Sequence, residues 1–140
     1  MALYQIVLLA VNPDDKEAHR LMVKAAVIAE QNHAELHLVF VEPGMGNISF
    51  ADAELELDEA HNELAHKRMK QLTALSELSP YKVQAVHMAN GDVIKHLTTL
   101  AEQLEANLVI TGCRKSGIHW FGDISHALSH QLNADVLICQ

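Results

Sequence analysis

Between Gly112 and Asp123 the chain reads GCRKSGIHWFGD, with three glycines, an arginine and a lysine in one connection and the apolar run NLVITG leading into it. Chemistry of that composition is anion binding. Glycine-rich turns ahead of a helix attract phosphate because unpaired main-chain N–H groups converge there and the helix dipole is positive at that end. Gly112, Gly117 and Gly122 would let the backbone approach closely, and Arg114 and Lys115 would pair with the anion. Asp123 works against this, because a carboxylate at the start of the next helix caps the donors a phosphate would use. Neither the Walker A pattern nor GxGxxG occurs, so the generic nucleotide motifs lend no support.

Other chemistry is less well provided for. Cys113 stands beside Arg114 and Lys115, whose charges would favour a thiolate. Ser116 and Ser125 have His119 and His126 nearby in sequence, but no GxSxG elbow presents a nucleophile. No poised acid and base stand out among the strand ends, so the chain reads as non-enzymatic. Its 10 histidines raise the question of metal. On a helix Asp123, His126 and His130 would share a face, as would His61, Glu63 and His66 less neatly, yet neither set has the HExxH form. The expected role of such helical histidines is a solvated surface that gains positive charge below about pH 6.5.

These residues need a scaffold, and the apolar pattern supplies one. LYQIVLLAV, Leu3 to Val11, predicts a strand buried on both faces. Asp14 and Glu17 then predict a helix start, followed by the stripe Ala18, Leu21, Met22, Ala25, Ile28 and Ala29. A second strand is expected over Glu35 to Val41, a loop over Glu42 to Phe50, and a long helix from Asp52 to Leu78 with Leu57, Ala60, Leu64, Leu72 and Leu75 on one side. Lys82 to Met88 predicts a third strand, Asn90-Gly91 a turn, and Asp92 the cap of a helix bearing Val93, Leu97, Leu100, Ala101 and Leu104. Asn107 to Gly112 predicts the fourth strand, Ile124 to Leu132 a short helix, and Asp135 to Cys139 the last strand. Strand and helix in such alternation specify an α/β fold, a parallel sheet covered on both faces. Ligands collect outside the carboxyl ends of such strands, where strand order reverses.

The totals narrow the function. A chain of 140 residues with 49% hydrophobic content fits one domain, residues 1–140. No apolar run approaches the roughly 18 residues of a membrane span, and no signal peptide is visible. A net charge of −8, without a basic face, argues against nucleic acid as a partner. Two cysteines, Cys113 and Cys139, make no disulfide framework, so a reducing cytoplasm is expected.

Four segments together resemble the universal stress protein family over essentially the full length: YQIVLLAVNP as its opening strand, AELHLVFVEP as its second, ANGDVIKHLTTLAEQLEANLVITG as its helix and following strand, and NADVLICQ as its last. The resemblance implies a five-stranded parallel open sheet in the order 3-2-1-4-5, of the adenine nucleotide alpha hydrolase-like type, in a cytoplasmic homodimer that serves survival under stress. It also implies a division. One branch of the family binds ATP through a loop G-x2-G-x9-G-(S/T) and an aspartate after the first strand; the UspA-type branch lacks that motif.

Position by position this chain resembles the second branch. Gly112 matches the first glycine of the loop, but Lys115 stands at the second, Gly122 arrives early and is followed by Asp123, and Asn12 replaces the aspartate. A lysine obstructs a backbone that needs positive φ, and a carboxylate within about 4 Å of a phosphate costs on the order of 1 to 4 kcal/mol. The implied adenine-nucleotide crevice comprises Val11, Asn12, Val41 and Gly112 with Arg114, Lys115, Gly117 and Gly122. It suits a monophosphate such as AMP, or no nucleotide, better than ATP. The alternative is an AMP- or ATP-binding switch using the loop from Gly112 to Ser125. The last strand, under the implied order, is an apolar edge, and Val136, Leu137, Ile138 and Cys139 are expected to pair with a second copy or with a sister stress protein.

Overall fold

The computed structural model describes residues 2–43, 51–112 and 130–139. Its strands are β1 (Ile6–Ala10), β2 (Glu35–Pro43), β3 (Val83–Gly91), β4 (Leu108–Gly112) and β5 (Asp135–Cys139), and its helices are α1 (Ala18–Asn32), α2 (Ala51–Glu77) and α3 (Val93–Leu104). All neighbouring strands are parallel, in the order β3-β2-β1-β4-β5. The aliphatic runs in the middle explain this arrangement. Val7, Leu8, Leu9, Val109 and Ile110 are fully buried, as side chains of central strands covered on both faces must be. β3 and β5 carry the mixed burial of edges.

The helix stripes close over the sheet. Leu21, Met22, Ala25, Ala26 and Ala29 of α1 are buried, as are Leu72 and Leu75 of α2 and Val93, Leu97 and Ala101 of α3. α1 and α2 touch each other while covering β1, β2, β3 and β4 between them, and α3 lies against β1, β2 and β3. Right-handed crossovers put α1 and α2 on one face and α3 on the other. Asp92 caps α3 as its position predicts, accepting the N–H of Lys95 at 3.2 Å.

Four boundaries differ from the expectation by more than one residue, each because a side chain or a strand partner claims the backbone. β1 starts at Ile6 and not at Leu3: the N–H groups of Leu3 and Tyr4 donate to Asn32 Oδ1, and those of Gln5 and Ile6 to Asn107 Oδ1. α1 starts at Ala18 and not at Asp14, because Asn12 Oδ1 accepts from Asp14 N–H at 3.0 Å and Asp15 Oδ1 from Glu17 N–H at 3.1 Å, turning the chain first. Glu42 and Pro43, expected in a loop, and Asn90 and Gly91, expected in a turn, extend β2 and β3 as the pairs Glu42↔Asn90 and Pro43↔Gly91. The turn falls on Gly91 alone, at φ 127°, a conformation that requires glycine. The expected helix from Ile124 is described only at its end, residues 130 and 131.

The carboxyl edge of the sheet as candidate functional site

Strand order reverses between β1 and β4, so the crevice sits beyond Ala10 and Thr111, which are paired in register. Val11 follows directly, fully buried, with its N–H bonded to Val39 O at 3.0 Å. Val41 at the end of β2 is equally buried, and Gly112 ends β4. The fold thus brings Val11, Asn12, Val41 and Gly112 to one edge. Arg114, Lys115, Gly117 and Gly122, with Cys113 and Asp123, lie outside the described residues.

Local geometry gives two of these residues structural tasks. Asn12 uses its side-chain oxygen on the N–H of Asp14 and its carbonyl on that of Asp15, so its acceptors hold the exit turn of β1. Gly112 abuts α1. A Cβ built there would come within 2.9 Å of Leu21 Cδ1, while φ lies outside the left-handed region. Close helix–strand packing therefore favours glycine at this position, since any Cβ must displace the tip of the Leu21 side chain. Gly112→Ala is expected to lower stability by about 1–2 kcal/mol through overpacking, read as a lower urea midpoint. Adding Leu21→Val, which trims the opposing side chain, is expected to restore part of it.

The strongest electrostatic feature of this edge is centred on Arg68 of α2. Its Nη1 lies 3.0 Å from Asp14 Oδ2 and donates to Gln71 Oε1 at 3.0 Å, while Gln71 Nε2 donates to Asp14 Oδ1 at 3.0 Å. Nε stands 3.6 Å from Glu42 Oε2, a charge contact too long for a hydrogen bond, and the guanidinium carbon lies 5.9 Å from the centre of the Phe40 ring. Arg68 is 15% exposed and Glu42 18%, so this contact is poorly screened; Asp14, at 53%, remains open to water. The Arg68 hydrogen bond first, and that of Gln71 second, hold the Asp14 carboxyl below the usual carboxylate range. One guanidinium therefore serves two carboxylates, one from the exit of β1 and one from the end of β2.

Neither Arg68 nor Glu42 figures in the sequence-based site, although a signal was present. Arg68 lies in the apolar stripe of α2, four residues from both Leu64 and Leu72, where a charge must find partners. Beside it, a cavity of about 460 Å³ opens between α2 and the ends of β2 and β3, with Leu64, Met69, Met88 and Ala89 as apolar walls and Glu42 and Asn90 as polar ones. Of the histidines weighed for metal, His126 lies outside the described residues; among those described, no group of three His, Cys, Asp or Glu forms a metal site.

A sequence profile of the Universal stress protein family matches residues 3–140. Universal stress protein G of Shigella flexneri is 25% identical over 141 residues, covering 97% of this chain and 99% of its own. Universal stress protein UspA from Lactobacillus plantarum shares the fold at TM-score 0.77 and 18% identity, with 100% of both chains covered. A universal stress protein from Archaeoglobus fulgidus, solved in complex with dAMP, does so at TM-score 0.66 and 17% identity, over 99% of each chain.

Proposed function

The chain belongs to the universal stress protein family, and from that premise we propose that it is a non-enzymatic, cytoplasmic stress-response protein that works as a dimer without holding ATP tightly. The observation carrying this reading is the arrangement of Asp14 and Glu42 about Arg68 at the sheet's carboxyl edge. A triphosphate entering there meets two carboxylates, and the guanidinium nearest to it, that of Arg68, is already engaged by both of them. At about 4 Å and intermediate screening, each such repulsion costs on the order of 1 to 4 kcal/mol. A tight site would need many compensating amide donors.

A second reading has a specific observation in its favour. The Archaeoglobus fulgidus relative holds dAMP on the same fold, and a monophosphate brings less charge to the edge. In that reading the loop from Gly112 to Ser125 is a switch for an AMP-type nucleotide, with Arg114 and Lys115 pairing with its phosphate. The two are separated by mass spectrometry of the protein as purified from cells. Protein free of adenine nucleotide is expected; stoichiometric AMP would establish the second reading, and its loss in Arg114→Ala would assign the anchor.

Assembly follows from β5. It pairs with β4 on one side, and Leu137 and Ile138 are 38% and 40% exposed on it. An apolar edge of this kind invites a second strand, and a two-fold pair of β5 strands would cover both copies at once. The same surface would accept a sister stress protein. No helix among the described residues is long and apolar enough to cross a membrane.

A further inference from the structure

On the sheet face covered by α3, a histidine pair joins β2 to the edge strand β3. His37 is 5% exposed, a rare burial for an imidazole in an aliphatic strand. Its Nδ1 lies 3.0 Å from Nε2 of His87, the rings stack at 5.3 Å between centres with 24° between planes, and its Nε2 lies 3.4 Å from Glu35 Oε2. The Glu35 carboxylate favours a proton on the facing Nε2 of His37, so Nδ1 accepts and His87 donates. Only one proton fits on the line between the two rings. With both rings charged, two N–H groups would point at each other across 3.0 Å, and the bond would become a repulsion.

We propose that His37 and His87 form an acid-released clasp, which holds β3 to the sheet while both rings are neutral with one proton on the line between them. A proton on the free Nδ1 of His87 sets a cation in the cleft, and a further one on Nδ1 of His37 turns the bond into a repulsion that loosens the edge. The surroundings offer little to offset the second charge. From β2, Glu35 is the single facing carboxylate, and it is 54% exposed and reaches only His37. β1 contributes Leu8, in register with His37 and fully buried. α3 contributes His96, Thr99 and Gln103 to the cleft of about 470 Å³ that His87 lines, and among the described residues no acidic group of α3 lines it. β3 has β2 on one side and no further strand on the other, so it can loosen without breaking the strands of the sheet's centre.

The direction with pH is fixed by the same geometry. Burial, and then the neighbouring His37 ring, lower the His87 pKa. The unfolded chain therefore takes up the proton first. The clasp's contribution is intact above about pH 6.5 and is lost as pH falls below it.

Amide hydrogen exchange on the full-length protein tests this. From about pH 7.5 to 5.5, protection factors of Val86, His87 and Met88 are expected to fall roughly tenfold more than those of Val7 to Leu9 in β1. In His87→Gln, whose side-chain amide still donates to His37 but does not titrate, that difference is expected to vanish. A uniform loss across the sheet, or an unchanged difference in the variant, would overturn the proposal. Should the variant fail to fold, the wild-type His87 ring decides: a slowly exchanging Nε2–H that disappears over the same pH range as the β3 protection supports the clasp, and its absence at about pH 7.5 refutes it.

Discussion

Arg68→Met is expected to lower the free energy of unfolding by roughly 2–4 kcal/mol, the largest effect of any substitution outside the aliphatic core. Methionine keeps most of the stem volume over Phe40, so packing loss is small. The damage falls on Glu42, which is 18% exposed and would lose the cation 3.6 Å away. A carboxylate left unpaired at that depth must find water or a proton, and either route disturbs the end of β2. Urea unfolding measures the loss. Glu42→Gln in the same background removes the stranded charge and is expected to restore at least half of it. If the double variant is no better than Arg68→Met, the loss lies in packing and not in charge. Acid adds a second signature. Since Arg68 and then Gln71 lower the Asp14 pKa, the unfolded chain binds a proton first as pH falls. Asp14's contribution is present above the ordinary carboxylate pKa, about 3.9, and is lost below it. Arg68→Met is expected to flatten that part of the stability–pH curve.

If the protein pairs through β5 as proposed, Leu137→Lys combined with Ile138→Lys is expected to convert that dimer to monomer, weakening self-association by at least about 100-fold. Burying one such side chain stabilises by about 1.5–3 kcal/mol. A two-fold axis counts every substitution twice and sets like charges on opposite copies close to each other. Both side chains are already 38–40% exposed, so the fold of each subunit should largely survive, which far-ultraviolet circular dichroism would verify. Sedimentation velocity at micromolar concentration supplies the readout. A wild type that is monomeric there removes this edge as an interface, and a double variant that stays dimeric moves the interface elsewhere.

Fold and site differ in how well the sequence discloses them. Parallel pairing rests on alternation and on runs such as IVLLA and LVIT, which suit strands covered on both faces, whereas the strand order comes from the family resemblance and not from the pattern. The ends of elements were harder to read. Asn32 and Asn107 reach across 29 and 102 positions to claim the N–H groups of Leu3 and Gln5, and no local pattern announces such a partner. The Arg68 cluster was half legible: a charge within the Leu64–Leu72 stripe is visible, but that its partners are Asp14 and Glu42 follows only from the parallel order that brings the exits of β1 and β2 together. His37 likewise looks like any polar residue in a strand until β3 places His87 against it. Gly112 is ambiguous in the sequence in the other direction: its glycine suggests phosphate, and the structure adds a packing reason for it in Leu21.

The account depends most on Asp14 and Glu42 occupying Arg68 at the carboxyl edge, and isothermal titration with Mg-ATP tests it directly. No saturable heat is expected below millimolar nucleotide, and AMP should bind no more weakly than ATP. Asp14→Asn together with Glu42→Gln should strengthen whatever weak nucleotide binding there is. A micromolar Kd for ATP in the wild type, undiminished by its two additional phosphates relative to AMP, would contradict it.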